Sequence, residues 1–167
     1  MEKSFVSPKV ELRESTIGKG VFAKEKISKG EILIDARKDP GTYMPVSEAD
    51  ALWEKGYDYM MQVDDNTFAV TDNPEELEEG DFVNHSCDPN CGIKNRLALA
   101  ALRDIEPGEE ITFDYAMSES TDYRMKCQCG SKNCRGEITG NDWKLPDLQK
   151  RYNGFFSDYL QKKIHTA

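Results

Sequence analysis

Two stretches concentrate side chains able to do chemistry. "DFVNHSCDPNC", Asp81 to Cys91, holds one of the chain's two histidines, two of its five cysteines and two asparagines in eleven residues. "CQCGSKNC" sets Cys127, Cys129 and Cys134 in a C-x-C-x4-C pattern. Short cysteine spacings let one loop supply several thiolates to a tetrahedral zinc ion, which needs four ligands when its role is structural. Three leave it one short, and Cys87 is the best candidate for the fourth. Cys91 is then left over, a small residue suited to a buried apolar site.

Composition bounds what surrounds these stretches. A length of 167 residues suits one domain, with a small appendage at most. The cysteine number is odd and the N-terminal "MEKSFVSPKVELRES" has no apolar signal segment, so the reading is reduced thiols and no secretory leader. No apolar run reaches the roughly 20 residues of a membrane span. A net charge of −9 speaks against a phosphate-backbone binder. Eight acidic residues and no Lys or Arg fall between Asp64 and Asp81. Such a run is either a solvated loop or a surface that steers a basic partner.

The elements that must position these residues are mostly strands. "KVELRES", then "VFAKEKISKGEILIDA" around a Lys29-Gly30 turn, alternate apolar and polar residues. "YMMQV" and "TFAV" form a hairpin pair across Asp64–Asn66, and "DIEPGE" is a turn between "LALAALR" and "EEITFDY". Ser47 is placed to cap a helix over "EADALWEK" that stops at Gly56. Leu148, Tyr152, Phe155, Tyr159 and Ile164 recur at helical spacing in two pieces broken near Asn153-Gly154, a packing stripe. Two further features stay open on their own: "GKG", Gly18 to Gly20, reads as a turn, and Tyr115, at a strand end, as a rim or a catalytic tyrosine.

Taken together, the order "GKGVFA", "GYDYMMQVD", "DFVNHSCDPNC", "PGEEITFDYA", "CQCGSKNCRG" resembles the SET-domain protein-lysine methyltransferases with a zinc-binding post-SET tail. The likeness covers about Val10 to Gly136. It implies a mainly β fold with short helices (α+β): the SET-domain β-clip, with a knot-like crossing of the "NHSC" and "FDY" segments, a zinc-binding post-SET loop and a C-terminal helical segment. The expected division is a SET domain over 8–118, a post-SET segment over 119–139 and a helical extension over 140–167. The form is compact, with no cysteine-rich pre-SET region ahead of it.

The resemblance also assigns roles. S-adenosyl-L-methionine would donate the methyl group, held by Gly18, Lys19, Gly20, Asn84, His85 and Tyr115, with His85 acting partly through its backbone. Tyr115 is the catalytic tyrosine, Tyr59 a second channel tyrosine, and Phe113 the position whose bulk and polarity set how many methyl groups are added. Phe there implies di- or trimethylation. Structural zinc would bind Cys87, Cys127, Cys129 and Cys134, locking the tail over the active site. Lysine has a pKa of about 10.4, so only about one molecule in a few thousand is neutral at pH 7. A narrow apolar channel beside a sulfonium lowers that value, no strong base is then required, and water can carry the proton away.

The substrate would be a lysine in a basic protein tail, histone or histone-like. The alternatives are a non-histone protein such as a ribosomal component, or a silent SET-like module that only binds peptides. Neither nucleic acid nor membrane is expected as partner. The expected location is cytoplasmic, or nuclear (own or host) if the substrate is a histone. One departure stands out: many relatives carry Arg where this chain has Asp81.

Overall fold

The computed structural model describes residues 4–167, so the first three residues of the polar N-terminal stretch lie outside the described residues. The strands are β1 (Phe5–Val6), β2 (Val10–Glu14), β3 (Lys19–Ala23), β4 (Ile32–Asp35), β5 (Thr42–Pro45), β6 (Met60–Asp64), β7 (Thr67–Val70), β8 (Asn84–His85), β9 (Cys91–Lys94), β10 (Ala98–Ala101), β11 (Glu110–Phe113), β12 (Arg124–Lys126) and β13 (Glu137–Thr139). Among the described residues there are also three α-helices, α1 (Val46–Trp53), α2 (Pro146–Arg151) and α3 (Asp158–Thr166), and four short 3-10 turns. It is mainly β with short helices, as the sequence implies.

The turns form where the sequence places them, and the strands flanking each one go to different sheets. β3 and β4 flank the Lys29-Gly30 turn without pairing, and β10 and β11 flank the Pro107-Gly108 turn without pairing. Each segment instead gives one strand to the sheet β1-β4-β10-β9 and the other to β2-β3-β11-β8. The two turns meet at a bridge between Ile27 and Ile105, both fully buried. Apolar alternation fixes which face of a strand is buried, but says nothing about its neighbour.

The expected hairpin of β6 and β7 forms, with β5 on the far side of β7. α1 begins at Val46, after an extended Pro45 that makes no side-chain cap bond; Ser47 lies inside the first turn and caps nothing. Its end follows the sequence. Gly56 takes φ +81°, its N–H donates to Trp53 and the N–H of Tyr57 to Leu52, the paired bonds of a glycine helix stop.

The core lies between the two four-stranded sheets and is closed by the C-terminal helices. Ile27, Leu33, Ile105, Ile111 and Met117 are buried together with Tyr152, Phe156 and Leu160. Each large side chain removed from water there contributes on the order of 2 kcal/mol. The helical break falls at Gly154 as expected, but Phe156 is the fully buried member, while Phe155 packs against Gly92 of β9 and its C=O accepts the N–H of Ile93. Cys91 is fully buried in β9, and burial drives its thiol pKa well up, which suits an inert apolar residue.

Candidate active site

Strand β8 is only two residues long, yet it positions the site. It pairs in parallel with β11, setting Asn84 opposite Thr112 and His85 opposite Phe113. The N–H of Ser86 continues the ladder to the C=O of Phe113. This is the crossing of "NHSC" and "FDY". After Phe113 the chain enters a 3-10 turn, Tyr115–Met117, capped by Asp114, whose Oδ1 accepts the N–H of Ala116 at 3.0 Å.

His85 is half-buried and its ring is fully engaged. Nδ1 accepts the N–H of Tyr115 at 3.1 Å, so the proton belongs on Nε2, which faces Cys87 Sγ at 3.3 Å. Burial lowers its pKa to about 4, against the pull of Asp114, so the ring is neutral at physiological pH. A neutral imidazole thus bridges a cysteine of one motif to the backbone of the other. Tyr115 packs edge-on to His85 at 5.1 Å and tilted on Phe113 at 5.1 Å. Burial, then the nearby Asp58 and Glu119, raise its phenol pKa, so the hydroxyl keeps its proton.

Asn84 Nδ2 donates to the C=O of Lys19 at 3.0 Å and to Glu110 Oε1 at 2.7 Å. A Cβ on Gly20 would meet that Glu110 oxygen at 2.3 Å, so glycine is needed for Asn84 and Glu110 to join. Glu110 also accepts from Ser15. Asp81, the departure from many relatives, is half-buried and closes the acidic turn: it accepts the Thr71 hydroxyl at 2.7 Å and the N–H of Glu78 at 2.8 Å. Burial raises its pKa despite those bonds.

A cleft of about 930 Å³ joins these groups. It is lined by Asn84, His85, Cys127 and Cys129 together with Tyr59, Phe113 and Tyr115. Tyr59 stands edge-on between Tyr57, at 5.2 Å, and Phe82, at 5.4 Å. Gly18, Lys19 and Gly20 are not in the lining; they adjoin it through the Lys19–Asn84 bond. The volume fits a nucleoside-sized donor together with an inserted side chain.

Cys87, Cys127, Cys129 and Cys134 bring their sulfurs within 4.8 Å of one another. Cys87 and Cys127 are 3.7 Å apart, close to the edge of about 3.8 Å expected of a tetrahedron with Zn–S bonds of about 2.3 Å. Burial pushes Cys87 up to about 11 and Cys127 higher, so thiolates there call for a cation. Cys129 is lowered to about 6: hydrogen bonds led by the Ser131 hydroxyl outweigh the effect of burial. His85 and the N–H of Arg135, 3.4 Å from Cys87 Sγ, are the outer contacts a bound thiolate requires. The four residues fit zinc.

Several partners escaped the sequence reading. Asp114, fully buried, accepts both Nη atoms of Arg135 at 2.7 and 2.8 Å and the Tyr152 hydroxyl at 3.1 Å. Arg135 also donates to Asp142 at 2.9 Å, and Arg151 and Tyr152 reach the C=O of Cys87. Glu119 and Tyr123 line the cleft as well. No spacing rule marks these residues; the nearest signal was the Arg that follows Cys134 directly.

This crossing of β8 with β11, beside a four-cysteine cluster and an aromatic cleft, defines a class. The SET-domain family model matches residues 18–116, and the chain belongs to the SET-domain family. It is similar to the histone-lysine N-methyltransferase, H3 lysine-4 specific, of Saccharomyces cerevisiae, 35% identical over 133 residues that cover 70% of this chain and 12% of that protein. The proteins of the same description from Aspergillus oryzae (33% over 129 residues) and Neurospora crassa (35% over 130) are each matched over 70% of this chain and 10% of their own length. The chain thus spans about a tenth of the length of these curated relatives.

Proposed function

We propose that the chain is an S-adenosyl-L-methionine-dependent protein-lysine N-methyltransferase that carries a lysine of a basic protein segment to the di- or trimethyl form. One observation carries the reading: Asn84 and His85 line a single cleft with the aromatic group of Tyr59, Phe113 and Tyr115. The donor, when bound, supplies a methyl group on a positively charged sulfur. Asn84 and the backbone at His85 bind it, with Gly18–Gly20 adjoining through the Lys19 carbonyl. Tyr115, held protonated, orients the amine for end-on attack, and alignment of this kind is worth several kcal/mol of barrier. The aromatic walls exclude water and favour the neutral amine. Phe113 has no hydroxyl to occupy the space a methylated amine needs.

The cleft margin favours a cationic substrate. Asp39, Asp50, Asp58, Glu75, Glu76 and Glu78 line it, and Lys126 is the sole Lys or Arg among its lining residues. The relatives' description makes the N-terminal tail of histone H3 the first substrate to try. The test is transfer of labelled methyl from S-adenosyl-L-methionine to core histones and H3 peptides, with products read by mass spectrometry. Dimethyl or trimethyl lysine is expected, and Phe113→Tyr should shift the product to monomethyl. Donor affinity without transfer to any basic protein would leave a peptide-binding module instead.

A further inference from the structure

The substrate lysine arrives as an ammonium, and the groups named so far orient the amine without taking its proton. We propose that Glu119 is the proton acceptor of this reaction, an inference that rests on the reading above.

Glu119 follows the 3-10 turn that carries Tyr115, and its N–H donates to the Tyr115 carbonyl at 2.9 Å. Its Oε1 accepts the N–H of Gln62 on β6 at 3.2 Å and the Ser118 hydroxyl at 3.3 Å. The Gln62 side chain returns the tie by accepting the N–H of Ser120 at 2.7 Å, which fixes the segment. Oε2 makes no hydrogen bond among the described residues, and Glu119 lines the cleft with Tyr59, Phe113 and Tyr115. The Tyr123 hydroxyl, in the same lining, is buried and also has no partner. A buried phenol left unbonded is expensive unless something absent completes it; Glu119 is half-buried, and its Oε2 remains free to accept a proton.

The titratable groups around Glu119 are Tyr115 on its own turn, Tyr123 before β12 and Tyr159 on α3, with Asp58 beyond Tyr115. None of these is positive. Behind Tyr159 stand Asp64, Asp65 and Lys163, the last paired to Asp65. Burial therefore raises Glu119 to about 7, against its bonds to Gln62 and Ser118. That value suits an acceptor working near neutral pH.

In the step, one ammonium proton moves to Glu119, directly or across one water. The freed lone pair forms the N–C bond while the C–S bond breaks and its electrons stay on sulfur. Glu119 then releases its proton to solvent. The methylammonium product is again a cation, so the same carboxylate serves the next transfer.

The experiment compares wild type and Glu119→Gln from pH 6 to pH 10 with an H3 N-terminal peptide and saturating donor. Expected is a loss of ~100-fold in kcat/KM at pH 7 that closes to a few-fold at pH 10, where solvent deprotonates the lysine. Donor affinity by calorimetry should not change, and Glu119→Asp should recover part of the loss. Separately, the 13C carboxyl signal that disappears in Glu119→Gln should titrate near pH 7 in the wild type with no donor present. Parallel pH profiles, or titration in the ordinary glutamate range, would overturn Glu119 alone. A wild type that transfers no methyl to this peptide or to core histones would overturn the proposed function and this role with it.

Discussion

The bracing beside the cysteine cluster and the aromatic part of the cleft, the proposed lysine end, are built on opposite plans. Around Asp114 and Cys87 the polar groups are paired. Asp114 takes bonds from Arg135, Tyr152 and Ala116, Cys87 faces His85 and Arg135, and Asp142 accepts from Nε of Arg135. At the proposed lysine end the buried Tyr123 hydroxyl has no partner, Glu119 Oε2 is free to accept, and carboxylates line the cleft. The first region holds itself together; the second is left to be completed by something that enters.

Removing the proposed metal should break that contrast most severely. Cys129→Ser, or chelation, should loosen the chain after Met125, detected as new proteolytic cleavage and loss of amide protection over β12 and β13. An unchanged digest would mean the cysteines do not hold the tail. Next comes Arg135→Leu, which leaves Asp114 buried without its cation. A loss of about 3–5 kcal/mol in urea unfolding is expected, and adding Asp114→Asn should recover part of it.

Tyr115→Phe should cost about 100-fold in turnover with donor affinity intact; full activity would remove its role. The smallest effect runs the other way. Because Glu119 has a folded pKa of about 7 against an ordinary 4.5, its contribution to stability is present below pH 4.5 and is lost as pH rises through 7. Glu119→Gln should therefore stabilise the fold at pH 8, by about 1–3 kcal/mol, and leave it unchanged at pH 4. A destabilised variant at pH 8 would make the lysine end as self-supporting as the other.

The sequence revealed C-x-C-x4-C because that spacing is local; Cys87, 40 residues from Cys127, entered only as the candidate that completes a set of four and through the family resemblance. It also revealed the turns, since Lys29-Gly30, Pro107-Gly108 and Gly56 act through their own backbone. What it hid depends on distance. Arg135 and Asp114 are 21 residues apart with no periodic relation, and Glu119 reads like any acidic residue in "SES" until β6 closes over it. The sorting of β3 from β4 and β10 from β11 was hidden for the same reason: alternation records burial, not pairing.

The Arg135–Asp114–Tyr152 contacts have a consequence for biosynthesis. A chain emerging from the ribosome completes "FDY" well before residues 135 and 152 appear, at about 5–20 residues per second. Until they arrive, Asp114 lacks its cation and the turn bearing Tyr115 lacks its brace. The nascent protein should therefore be unable to modify its neighbours on the polysome, and messages cut short ahead of α2 should yield inert products.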